Sequence, residues 1–187
     1  QLISKEAAGG KSVVVIEKGE PKSCNIVTSC EGKGKTFIMF SDDLDKALAT
    51  FVLANGAAAT GQKVTIFFTF WGLNVIKKRH KPNVEKDIFG KMFGMMLPSS
   101  SRKLKLSKMS MGGIGGKMMR YIMNRKGIDS LESLRQQALE NGVEFIACQM
   151  SMDVMGVKQE ELLDEVTIGG VATYMERADN ANINLFI

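Results

Sequence analysis

Between Thr36 and Phe70 two short apolar runs flank one long periodic stretch, and this pattern constrains the fold more than any other feature of the chain. TFIMF and KVTIFFTF are continuous runs of β-branched and aromatic residues at strand length, as expected of strands buried on both faces. SDDLDKALATFVLANGAAATG between them has helical spacing, with Leu44, Ala47, Leu48, Phe51, Val52 and Ala58 as the sheet-facing stripe. Ser41 stands where an N-cap belongs, Asp42, Asp43 and Asp45 fall in the first turn, and Gly61 marks the C-terminal cap. Strand, helix and strand make a βαβ unit, which demands a parallel pair and a right-handed crossover.

The alternation continues to the end of the chain. A short helix is predicted through Val75 and Ile76. SLESLRQQALENG predicts a helix with Leu131, Leu134, Ala138 and Leu139 inward, and VEFIAC predicts a third buried strand. MSMDVMGV and QEELLDEV then read as short helices, TIGG as a turn or short strand, VATYMERADNA as a helix and NINLFI as a terminal strand. The expected fold is α/β, a three-layer α/β/α sandwich around a mostly parallel sheet of about five strands. In such sheets function collects at the carboxyl ends of the strands, here around Ser41, Trp71 and Cys148.

Charge is unevenly spread. The chain of 187 residues carries +5, but residues 77–126 hold fourteen Lys and Arg against Glu85 and Asp87, a net +12, which leaves the rest at −7. The same window contains eight of the thirteen methionines. It reads as a basic, Met- and Gly-rich insertion at 77–126 within a domain spanning 36–187, specialised for contact. Three readings compete for it: docking a protein, lying peripherally on a membrane, and ordinary core packing of an inserted helical hairpin, within a homo-oligomer or under the domain. Nucleic acid is not an expected partner, since the stretch offers no strand platform for base stacking. Residues 1–20 contain one β-branched run, SVVVIEK, which is either an added edge strand or the tail of a preceding domain, and 21–35 is a polar, Gly- and Lys-rich linker.

The cytoplasm is the expected compartment, because no apolar run spans a bilayer and QLISKEAAGG lacks the pattern of a signal peptide. Three cysteines without a C-x-x-C pair do not form a disulfide framework. With His80 as the single histidine, catalysis by a second histidine is excluded, and a zinc site from Cys24, Cys30, Cys148 and His80 matches no standard ligand spacing. No metal and no cofactor are expected. Gly34-Lys35-Thr36 resembles the end of a P-loop, yet the first glycine of that motif falls on Ser29 and the triplet precedes a strand. The glycines at 112–116 lack dinucleotide spacing and read as a hinge between Met-rich segments.

Cys148 is the leading chemical candidate. It closes a predicted strand, and with Ser151 capping the next helix, unpaired backbone N–H groups fall beside the sulfur and favour its thiolate. The competing reading is a small buried hydrophobe, the usual place of a free cysteine. FSDDLDKALATFVLANGAAATGQKVTIFFTFWGLNVI, LKLSKMSMGGIGGKMMRYIM, GVEFIACQMSMDVMGV and IGGVATYMERA together resemble the DsrE/DsrF-like family, in its Met-rich branch. The resemblance runs from Thr36 to Ile187, and ACQMSMDVMG is its most specific piece. It implies that Cys148 carries sulfane sulfur as a persulfide, that Ser151, Asp153, Ser41, Asp43 and Trp71 shape the pocket, and that the protein is a cytoplasmic, sulfurtransferase-like carrier. It also implies homo-oligomers, and exchange with TusA-like or rhodanese-like carriers or other persulfide donors. LISKEAAGGKSVVVIEKG is weakly similar to the last strand of a TusA-like module, without that module's Cys-Pro motif. The peroxiredoxin label sometimes given to this branch finds no Thr-x-x-Cys motif here.

Overall fold

In this computed structural model the described residues are 34–78, 97–98, 100–108 and 114–187. The reading of 1–20 as a strand or tail, most of the linker, Cys24, Cys30 and His80 lie outside them. Five strands form one sheet: β1 (Gly34–Met39), β2 (Val64–Phe68), β3 (Glu144–Cys148), β4 (Thr167–Gly169) and β5 (Ala181–Phe186). Their order is β4-β3-β2-β1-β5, and every pairing is parallel. The helices are α1 (Leu44–Ala59), α2 (Ile114–Arg125), α3 (Leu131–Glu140), α4 (Gln149–Met155) and α5 (Val171–Asp179), joined by 3₁₀ segments at Phe70–Ile76, Ser101–Lys103 and Gln159–Glu161. The expected α/β fold with its five-stranded parallel sheet is the fold observed.

Register assigns each strand residue to a face, because side chains alternate along a strand and register partners in parallel strands point the same way. Phe37, Met39, Ile66, Phe68, Phe145 and Ala147 share the α1 side, where they join Leu44, Phe51, Leu73 and Leu131 in the main core. Ile38, Phe67, Ile146 and Cys148 share the other side, where Tyr174 and Ala178 of α5 pack on them. The step from β4 to β5 explains the split. It returns across the sheet to the far side of β1, so a right-handed crossover puts α5 on the face opposite α1.

Several local expectations are corrected. Asp43, not Ser41, is the N-cap residue of α1. The first helical N–H, from Leu44, donates to Lys105 O at 2.7 Å, and Asp45 accepts bonds from the backbone N–H and the hydroxyl of Ser107. The start of α1 is thus closed by the basic segment. Val52 is 56% exposed, and Thr50 and Ala54 complete the buried stripe in its place, the better fit to the 3.6-residue period. QEELLDEV makes only the short 3₁₀ turn, since Leu162 leaves it to bridge Lys77 in antiparallel fashion.

The glycines at 112–116 do not form a hinge where they are described. Gly115 and Gly116 lie buried in the first turn of α2, and a Cβ on Gly116 would sit 3.2 Å from Leu104 O. Leu97, Leu104, Leu106 and Met119 belong to the main core or pack against it, and Met123 is buried. Arg120 donates to Ser101 O at 2.9 Å and pairs with Glu132 at 3.3 Å, while Ser101 donates to Glu132 at 2.9 Å. The described part of the insertion is therefore fastened to α1 and α3, with Arg102, Lys103, Lys105 and Lys108 left exposed.

Candidate functional site

Three chain turns at the carboxyl ends of β1, β2 and β3 build the candidate site. After β2 the chain turns at Phe70, whose φ of 47° is unusual for a bulky residue. Its ring rests 5.4 Å from that of Phe40, which in turn lies 5.7 Å from Phe186. Gly72 then passes so close to β1 that a Cβ there would fall 2.0 Å from Met39 O. Any side chain at position 72 would push the 3₁₀ segment away from β1, and with it Trp71, which is 42% exposed.

Cys148 ends β3 and is itself the N-cap residue of α4, with no side-chain capping bond. This corrects the reading of Ser151 as the cap. Cys148 is 1% exposed, enclosed by Phe67, Ile146 and Tyr174, with Ile38 and Ala178 at the margin. Tyr174 stacks 5.2 Å from Phe67, and its hydroxyl lies 3.3 Å from Thr36 Oγ1. A reagent in solution reaches this sulfur only when the cover of α5 or the start of α4 opens.

Ser151 is fully buried, and its Oγ lies 2.8 Å from Thr69 Oγ1, which ties α4 to the end of β2. Thr69 was not singled out from the sequence. The available signal was its position directly after IFF, with the same strand parity as Phe67. Asp153 faces solvent on α4 and accepts a bond from Gln149 Nε2 at 3.0 Å. Ser41 donates to Asp43 Oδ2 at 2.8 Å and accepts from the Asp43 N–H at 3.2 Å, and Lys46 pairs with Asp43 at 2.9 Å. Ser151 and Thr69 form one hydrogen-bonded group. Ser41 and Asp43 form another, and among the described residues no hydrogen bond joins the two.

A third polar group lies beneath the same edge. Asn74 is fully buried and donates to Asp42 Oδ2 at 3.1 Å. Burial pushes the Asp42 carboxyl above its ordinary value, against the opposing effect of the Asn74 hydrogen bond. At the amino end of the sheet the balance reverses. Arg177 grips Glu144 with two bonds, at 2.9 and 3.2 Å, and holds its carboxyl below the ordinary value, with Thr65 assisting.

A five-stranded parallel sheet with a strand-end cysteine defines a class, and the comparisons supply the family. The chain belongs to the DsrE/DsrF/DrsH-like family, whose model matches residues 32–186. It is 44% identical over 155 residues to the uncharacterized protein YrkE of Bacillus subtilis strain 168, covering 83% of this chain and 97% of that one. It is also 38% identical over 161 residues to the sulfur carrier protein DsrE2 of Allochromatium vinosum, covering 84% and 99%. Among solved structures, the ychN protein of E. coli aligns with a TM-score of 0.49 at 11% identity, covering 82% of this chain and 99% of that one. No helix among the described residues is long and apolar enough to cross a membrane.

Proposed function

We propose that this chain is a sulfur-relay protein that carries sulfane sulfur as a persulfide on Cys148. The observation that carries the reading is the position of Cys148 at the carboxyl end of a central parallel strand, in a chain 38% identical to a protein named as a sulfur carrier. The thiolate of Cys148 attacks the outer sulfur of a donor persulfide. A bond forms between Sγ and that sulfur, the donor S–S bond breaks, and the donor leaves as a thiolate. An acceptor thiolate then attacks the outer sulfur of Cys148–S–SH and releases the Cys148 thiolate. The sequence needs no oxidant, and no general base once the thiol is ionised. Donors and acceptors are other sulfur carriers, of the TusA-like and rhodanese-like kinds, and the protein works in the cytoplasm as a homo-oligomer. Native thiol labelling tests the reading. Cys148 of a carrier reacts in the folded protein below neutral pH, whereas an inert core cysteine reacts only on unfolding.

One observation favours a second use of the molecule, as a docking module. The side of α2 turned away from the core carries Ile114, Met118, Tyr121 and Ile122, all exposed and spaced along one helical stripe. Lys117, Arg125 and Lys126 border it. The stripe suits contact with a second copy or a peripheral contact with an anionic membrane, and the salt dependence of that contact separates the two.

A further inference from the structure

β5 has the sequence of a covered strand and stands open. Parallel sheets are ordinarily covered on both faces, yet every residue from Asn182 to Phe186 is exposed, and among the described strands β5 pairs with β1 alone. Its residues, ANINLF, include no charged side chain and no proline, the devices that keep an edge strand from pairing with another chain. The one irregularity in its ladder, a register shift against Gly34 and Lys35, falls at the start of the strand. From Ile183 onward the edge is regular.

The backbone decides what can pair there. Ile187 donates its N–H to Ile38 O and accepts from the Phe40 N–H, both at 2.8 Å, so its polar groups point at β1. Direction alternates along a parallel strand, so those of Leu185 and Ile183 point at β1 too, and the N–H and C=O of Asn184 and Phe186 lie on the open edge. Side chains alternate as well. Leu185 stands opposite Phe37 and Ile183 opposite Lys35, on the α1 side, while Asn184 and Phe186 stand opposite Thr36 and Ile38, on the α5 side.

We propose that β5 pairs with β5 of a second copy, antiparallel about a two-fold axis through Asn184. In this register the outward N–H and C=O of Asn184 meet those of Asn184 in the second copy, and Phe186 falls opposite Asn182. Ile183 then faces Leu185 of the second copy, and Leu185 its Ile183. These are the non-hydrogen-bonded positions, where side chains come closest, at about 4.5 Å between Cα atoms. The two-fold axis keeps the α1 side of one copy with the α1 side of the other, so four exposed aliphatic side chains close over one another. A slip of one residue would set outward polar groups against inward ones. Asn184 does not obstruct the pairing, because its side chain is engaged on the α5 side, accepting from Thr36 Oγ1 and donating to Ala178 O at 3.4 Å. Identical strands without charge do not repel, which suits this edge to a second copy of itself. The proposal rests on the homo-oligomer of the proposed function, to which it gives a contact, and not on the chemistry of Cys148.

The test uses the full chain as wild type, I183K/L185K and I183K/L185E, reading mass by light scattering and hydrogen exchange at the Asn184 and Phe186 N–H groups. Both positions are exposed, so the substitutions leave the core intact. I183K/L185K sets four cations in the seam, whereas I183K/L185E sets each cation opposite a carboxylate of the second copy in this register alone. The wild type is expected to hold an even number of copies and to protect both N–H groups. I183K/L185K should have half that mass or less, with dissociation about tenfold or more easier, and should lose the protection. I183K/L185E should recover both. Where I183K/L185K does not fold, I183K/L185E and exchange in the wild type decide the matter. Wild-type mass in I183K/L185K overturns the proposal and gives assembly to another surface, such as the α2 stripe. Equal dissociation of the two variants overturns it, as does N–H protection that persists in a monomer, which means that the edge is covered within one chain. An odd copy number overturns it too, and a wild-type monomer overturns it together with the homo-oligomer.

Discussion

The two faces of the sheet are built to different depths. On the α1 side, Phe37, Phe51, Ile66, Phe68 and Phe145 lie in a core that continues through Leu131, Met152, Leu162 and Val166. On the α5 side, the cluster is Phe67, Ile146, Cys148 and Tyr174. Val171 and Met175 of α5 and Phe186 of β5, which pairs with Ile38, are exposed, Phe186 to 68%. The deep face has the apolar burial that sustains the fold. The shallow face keeps the candidate sulfur carrier under one helix of nine residues, within reach of the local openings that thinly packed regions undergo.

Phe51→Ala should do the greatest damage, because it empties the centre of the deep face, where the ring lies 5.8 Å from Phe145 and 6.4 Å from Phe68. A loss of about 3–5 kcal/mol is expected from urea unfolding. Tyr174→Ala should cost less than half as much, yet speed alkylation of Cys148 about tenfold by thinning its cover. Equal stability losses, or an unchanged alkylation rate, would break the contrast between the faces.

The two ends of the sheet also differ, in their response to pH. The Glu144 carboxyl is lowered by Arg177, so its contribution is fully present above the unfolded value of about 4.3 and is lost as pH falls through the folded one. Because the pair is partly exposed, Arg177→Gln should lower the urea midpoint only slightly near neutral pH and not at all in acid. Asp42 has the opposite sign. Its carboxyl is raised by burial, so its contribution is present below the unfolded value of about 3.9 and is lost as pH rises through the folded one. Asp42→Asn should therefore stabilise the protein near neutral pH and make no difference in acid. Urea midpoints measured from acid to neutral pH read both signs.

The alternation of buried runs and helical periods made the sheet and its helices legible, because strands covered on both faces have no polar alternation to blur them. What the sequence did not disclose depends on contacts between distant segments. Ser41 has a good capping side chain, but the chain reaches α1 through Asp43, and Lys105 supplies a carbonyl where local reasoning sees only a basic loop. Cys148 stands at the carboxyl end of its strand as the sequence suggests, but what buries it, Tyr174 returning over it 26 positions later, has no local signal. Thr69 escaped notice because a threonine at a strand end is ordinary until Ser151 is seen to face it. Among the described methionines of the insertion, Met119 and Met123 pack inward and Met118 is exposed, with the cations at the rim.

The smallest effect is expected at that rim. Replacing Arg102, Lys103, Lys105 and Lys108 with Gln should change stability by no more than about 0.5 kcal/mol, since Lys105 serves α1 through its backbone carbonyl. Assembly that ignores salt, with no flotation on anionic vesicles, assigns the α2 stripe to a second copy. Flotation at low salt that disappears in the four-Gln protein assigns it to a membrane.

The central claim, that Cys148 is the obligatory sulfur carrier, is tested most directly by the mass of the whole protein after incubation with a persulfide donor. The wild type and the Cys24→Ser and Cys30→Ser variants should each gain about 32 Da, one sulfur atom, reversibly on reduction. Cys148→Ser should gain nothing. An adduct that persists in Cys148→Ser, or a wild type that stays unloaded under conditions where a free thiol takes up sulfur, contradicts the account.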